Sequence, residues 1–182
     1  MRSSRILVVL ALATTLMVPA TFGQASSQPS AANSIGFGSI LQSNQNDFGF
    51  GAEIISPSFA RDRLAVVASG TYNYITGSEW EGYGSTSLDL LAGITAPSET
   101  HRLYGTAGVV ALFPSDGVSS ENLVIGATGG FGFEFFFTPQ RLGSYYIELG
   151  GIGTAAGADE VANSPVYANG FTTSVGVRYY VR

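Results

Sequence analysis

The chain has no cysteine, no lysine and a single histidine. Without cysteine there are no disulfides, no thiolate metal sites and no cysteine nucleophile. Without lysine, all eight basic residues are arginine. Charged residues are 12% of the 182. An ordinary soluble domain carries about 25%. Hydrophobic residues reach 45% and the net charge is −5. This balance argues against a conventional soluble enzyme, a disordered acidic chain and a nucleic-acid binder, which needs a basic face. Glycine (24), phenylalanine (12) and tyrosine (9) are abundant. The length fits one domain.

Met1 to about Ala25 reads as a secretory signal. Arg2 and Arg5 give the positive start and Ile6–Val18 the apolar run. Val18-Pro19-Ala20 and Gly23-Gln24-Ala25 both end in a small residue suited to cleavage. Residues 26–33 are small and polar, as in a linker. After removal of the first segment, six arginines face thirteen acids, an excess of seven negative charges. No later stretch is long and apolar enough to span a membrane as a helix.

From residue 34 to 182 the pattern is period two. Phe171, Thr173, Val175, Val177, Tyr179 and Val181 fall on one face, and Thr172, Ser174, Gly176, Arg178 and Tyr180 on the other. Ile125, Ala127, Phe131, Phe133, Phe135 and Phe137 likewise oppose Gly126, Thr128, Gly130, Gly132 and Glu134. Successive strand side chains point to opposite faces, so each segment separates two environments. Eight such segments begin near Ile35, Phe48, Leu64, Tyr83, Leu103, Leu123, Tyr145 and Phe171. The first is weakly patterned. The fifth is ambiguous in phase, because Val109 and Val110 are both apolar. Pro57, Pro97 and Pro139, each followed by an arginine, recur 40 and 42 residues apart. Proline ends a strand because it cannot donate to the ladder, so these mark a repeated up-and-down unit.

Alternation leaves two ways round. A soluble lipocalin-like binding barrel would put the apolar face inside and needs a charged exterior. Here the polar face is mostly Gly, Ser and Thr, a poor soluble surface and a plausible small-barrel interior. The apolar face runs about ten residues per segment, the length of a tilted strand crossing a bilayer. A spanning sheet must close, and eight strands leave an interior that side chains can fill. The fold class is therefore all-β, an eight-stranded antiparallel up-and-down transmembrane β-barrel.

From about Ile35 to Arg182 the chain resembles the small eight-stranded outer-membrane barrels of the OmpA/OmpX type. The resemblance rests on the leader, the eight segments, the strand end Phe135-Phe136-Phe137-Thr138-Pro139, and the closing Gly176-Val177-Arg178-Tyr179-Tyr180-Val181. Family members close on an aromatic residue read by the assembly machinery; this chain has Val181 there, and an extra Arg182. The resemblance implies an integral outer-membrane protein of a Gram-negative-type bacterium. Its partners would be outer-membrane lipid and, during biogenesis, the assembly machinery. No nucleic acid or cofactor is implied, and the surface partner stays unknown. A structural or surface-exposed role and a narrow ion-conducting pore both remain open.

An even strand count puts both mature ends in the periplasm, so the proline-marked connections are periplasmic. Gln42–Asn46, Thr76–Gly82, Pro114–Asn122 and Thr154–Ala168 then face outside. Asp47, Glu79, Glu81, Asp116, Glu121, Asp159 and Glu160 fall in or beside these external loops, and all six arginines near the other end. Tyr72, Tyr74, Trp80 and Tyr83 are candidates for the outer aromatic girdle, and Phe59, Phe137, Tyr145 and Tyr179 for the inner one.

Glu53, Asp89, Glu134 and Glu148 lie on polar strand faces, as does Arg178. Counted from the turns, Glu53, Glu134, Glu148 and Arg178 share one level, with Glu148–Arg178 as the favoured pair. Buried charges need partners, so a plug that pins the lumen is the first reading and a gated ion path the second. His101 falls in a periplasmic turn beside Glu99 and Arg102, away from any outer-rim serine. That leaves no Ser/His/acid set, and an enzyme is not expected. Gly151-Ile152-Gly153 is not followed by a helix and is no phosphate loop. Asp159-Glu160 reads as a solvated loop end, since Ca²⁺ wants more oxygens, and no metal is expected.

Overall fold

The computed structural model describes residues 34–45, 47–61, 63–75, 81–95, 100–137, 141–161 and 166–181. The expected leader and linker fall outside these residues, as do Glu79, Trp80, Pro97, Glu99, Pro139 and Arg182. Eight strands follow in order: β1 (Ile35–Asn44), β2 (Asp47–Ile55), β3 (Leu64–Ile75), β4 (Gly82–Thr95), β5 (His101–Pro114), β6 (Val124–Phe136), β7 (Gly143–Gly153) and β8 (Gly170–Val181). Each starts within two residues of its expected position. Consecutive strands pair antiparallel, and β1 also pairs with β8, so the sheet closes on itself. The chain is an all-β, eight-stranded up-and-down barrel, and no helix occurs among the described residues.

Period two fixes the two faces. In β8, Phe171, Val175, Val177 and Tyr179 are exposed while Arg178 and Tyr180 are buried. In β6, Phe131 and Phe133 are exposed while Glu134 and Phe136 are buried. The phase of β5 is now settled. Arg102, Tyr104, Val110 and Leu112 point inward, and Leu103, Val109 and Phe113 outward. β1, weakly patterned by itself, is held from both sides by full ladders to β2 and β8.

One end of the barrel carries the connections β2–β3, β4–β5 and β6–β7 together with both ends of the barrel segment. This is the turn end. The loop end carries the other four connections, of which β7–β8 is the longest. The first loop-end connection is tighter than expected. Gln42 and Asn44 belong to β1 and Asp47 to β2. Directly paired residues share a face of the sheet, and the Asn44–Asp47 pair lies on the inward face rather than in an external loop.

Candidate functional site

The interior is the site, and it has three tiers. At the turn end lies a quartet of charges: Glu53, Arg102, Glu134 and Arg178, all buried. Arg178 grips Glu53 with both arms of its fork, Nε to Oε1 at 2.6 Å and Nη2 to Oε2 at 3.1 Å. Its Nη1 reaches Glu134 Oε2 at 3.5 Å. Arg102 pairs with the same Glu134 oxygen through Nη2. Glu134 Oε1 accepts from Tyr180 OH at 2.5 Å and Ser144 Oγ at 2.6 Å. The Arg178 guanidinium also stacks 3.8 Å from the Tyr146 ring centroid.

The ladder explains this assembly. Arg102 and Glu134 are directly opposed across β5 and β6. Glu53, Gly38 and Arg178 form one row across β2, β1 and β8. A side chain at Gly38 would block the row, since its Cβ would sit 2.6 Å from Glu53 Oε1. Glycine lets the arginine reach over β1 to the acid. Two acids against two arginines leave the tier neutral. Each charge is desolvated but paired, the one arrangement in which burial is tolerable.

Above the quartet lies a polar chamber of about 100 Å³. Its lining includes Asp89, Glu148, Ser69, Ser85, Ser87 and Thr128. Asp89 accepts from Ser87 Oγ at 2.5 Å and from Thr128 Oγ1. Glu148 accepts from Thr106 Oγ1 at 3.4 Å. Hydroxyl pairs line the β3–β4 wall, Ser69 with Ser87 at 2.8 Å and Thr71 with Ser85 at 2.6 Å.

The third tier closes the loop end. Ile75, Tyr83, Val110, Leu112, Val118 and Val124 pack with Ala156, Ala158, Tyr167 and Ala168 of the β7–β8 connection. The Tyr83 and Tyr167 rings meet at 4.8 Å. Asp47 lies buried among them, accepting from Tyr83 OH at 2.9 Å and from the Ala168 N–H at 2.8 Å. Outside, Asp159 accepts from the Ser120 Oγ at 2.5 Å and N–H at 3.0 Å. These bonds, the Ser120 hydroxyl first, hold its carboxyl down at about 2.

The structure brings Glu53, Glu134 and Arg178 together as one level, but corrects three assignments. Glu148 is not the partner of Arg178. On β7 the residue opposite Arg178 is Ser144, and Glu148 lies four positions further up, opposite Ser174. Counting from turns ignores the stagger that closing a barrel imposes on its register. Asp47 is not a loop acid, because it opens β2 with its side chain inward. Tyr83 is not an outward girdle residue, since it fills the mouth at 1% exposure. Asp89 sits in the chamber, apart from the quartet. Arg102, Tyr104 and Tyr146 complete the lower tier without having been anticipated, together with Tyr180, which period two puts on the same face as Arg178. The signal was present, since Arg102 shares parity with Thr106 and Gly108, but the Val109-Val110 step hid it.

On the outer surface, Phe59, Phe137, Tyr145 and Tyr179 are exposed near the turn end. Tyr72 is exposed and Tyr74 half-buried near the loop end, their rings 5.0 Å apart. Glu81 lies at the loop end, accepting from Ser115 Oγ at 2.7 Å, and Asp116, Glu121, Asp159 and Glu160 are exposed there. His101 is the exposed first residue of β5. Among the described residues no three His, Asp or Glu side chains are grouped to hold a metal ion.

No protein-family model and no curated protein matches the chain. Among solved structures, the barrel is similar to the N-terminal β-barrel domain of Pseudomonas aeruginosa OprF. The TM-score is 0.61 at 17% identity, covering 82% of this chain and 98% of that one. At that identity the likeness concerns the fold.

Proposed function

We propose that the chain is an integral outer-membrane barrel with a structural or surface-exposed role, exported by its leader and not an enzyme. One observation carries this reading. No outward position on any of the eight strands holds Asp, Glu, Lys or Arg, while Asp47, Glu53, Asp89, Arg102, Glu134, Glu148 and Arg178 all point inward. A soluble barrel needs the reverse, a charged exterior around an apolar core. A bilayer needs this one, because lipid solvates apolar side chains and the closed ladder leaves no backbone group unpaired. The likeness to the OprF barrel supports the same reading at the level of fold. In this orientation the loop end, with its acids, faces outward and the turn end faces the periplasm.

A structural role is favoured over a pore because the lumen is filled twice, by the quartet and by the apolar mouth. The purified protein should migrate differently boiled and unboiled on detergent gels and should fractionate with the outer membrane. In planar bilayers it should insert without conductance steps. Recovery in the aqueous phase would sink the membrane reading, and reproducible unitary currents would replace the structural role with the pore.

A further inference from the structure

We propose that the β7–β8 connection is a latched lid. Its two described arms, 154–161 and 166–169, close the loop end over the polar chamber, Asp47 is the latch, and releasing it opens the chamber to solvent from that end. The lid and its seat are distinct parts. Tyr83 and Asp47 belong to the wall strands β4 and β2, whereas Tyr167 and Ala168 belong to the connection. The arms pair with each other at Gly157 and Val166. They touch the rest of the mouth through one large side chain, Tyr167 against the Tyr83 ring, and otherwise mainly through small ones, Ala156, Ala158 and Ala168, which bury little apolar area each. The first arm is tied to the β5–β6 connection, where Asp159 accepts from Ser120 and the Glu160 N–H donates to the Val118 carbonyl; the second arm is tied to the strand wall by the Asp47 carboxylate, which takes the Ala168 N–H at 2.8 Å and so bridges 121 positions of sequence.

The closed state also carries a built-in penalty. Asp47 Oδ1 and Tyr167 OH are both buried at the mouth, and neither has a hydrogen-bond partner among the described residues. Unsatisfied buried polar atoms destabilise the state that buries them. Lifting the arms hydrates both atoms, so the contacts that hold the lid closed act against a standing cost. The chamber below is hydroxyl-lined and carries Asp89 and Glu148. Its floor is the neutral quartet with Arg178, which stays in place when the lid lifts. An open lid therefore makes a cup that accepts small water-soluble, preferably cationic, molecules from the loop end, with no through-passage.

The test uses the absence of native cysteine. Ser85 lines the chamber, so Ser85→Cys places the only thiol of the chain beneath the lid. The full-length folded barrel in detergent is treated with a trimethylammonium methanethiosulfonate, and folding is checked by heat-modifiable migration. The inference rests on the closed barrel and not on membrane residence, so labelling in detergent reads the lid alone. Ser85→Cys by itself should label at least tenfold more slowly than the exposed reference Asp116→Cys. Adding Asp47→Ala, or Ala158→Asp in the lid, should raise the rate at least tenfold. If Asp47→Ala fails to fold, Ala158→Asp carries the test, because Ala158 lies outside the strands. Labelling of Ser85→Cys as fast as the reference would show an open mouth and overturn the lid. Folded lid variants that label no faster than Ser85→Cys alone would overturn the latch.

Discussion

At the scale of single residues, Arg178 holds the turn-end tier together. It serves both Glu53 and Glu134 and lies against the Tyr146 ring. Removing it leaves Glu53 buried without its arginine and Glu134 with only Arg102. Breaking a buried pair by deleting one partner costs about 3–5 kcal/mol, so Arg178→Ala should lower the unfolding midpoint in detergent by a corresponding amount. Glu148→Gln is the informative contrast. Glu148 is four positions away along the β7–β8 ladder and holds one long hydrogen bond, from Thr106. Its neutralisation should leave the midpoint unchanged or raise it. Urea titrations followed by gel shift would check both, and a loss on Glu148→Gln equal to that on Arg178→Ala would refute the tiered arrangement. Residue parity placed Glu53, Asp89, Glu134, Glu148 and Arg178 in the lumen and missed Asp47 and Arg102. It was silent on which charges meet, because that depends on register between strands, and register is a property of the closed sheet.

At the scale of elements, each strand is legible because one face is apolar and the other small or polar, and a one-residue slip would exchange the faces. The connections were less legible. The β1–β2 turn is shorter than its polar sequence suggested, and that shortening turned Asp47 from a loop acid into the buried residue beneath the mouth. Glycine within the strands also has positional meaning. A Cβ on inward-facing Gly176 would lie 2.5 Å from the Tyr146 ring, whereas one on outward-facing Gly153 meets nothing within 4 Å. Tyr146 is in turn the ring against which Arg178 lies. Gly176→Val should therefore disturb β7, β8 and the quartet together, costing about 1–3 kcal/mol or preventing closure, as overpacking does. Gly153→Ala should be close to neutral. The comparison is read from the folded fraction on unboiled gels after refolding, and equal yields for the two variants would count against this account of the tyrosine tier.

At the scale of the whole molecule, the barrel is an inverted globule, with seven strand charges inside and an apolar skin outside. The skin makes a prediction whose sign separates lipid from water as the surrounding medium. Val109 is outward, mid-strand in β5 and 56% exposed. Ser43 is outward at the loop end of β1. In a bilayer, arginine on the outer face destabilises by about 2–4 kcal/mol at the midplane and by about 0–1 near the interface. Val109→Arg should thus be severely destabilising in vesicles while Ser43→Arg is nearly silent. In water both are ordinary surface substitutions, each within about 0.5 kcal/mol of the parent. Reversible unfolding in lipid vesicles would give the two values. A depth gradient would tie the apolar skin to the bilayer. Its absence would leave the same closed sheet needing another cover for that skin, because an exposed apolar surface of this extent does not stay single in water.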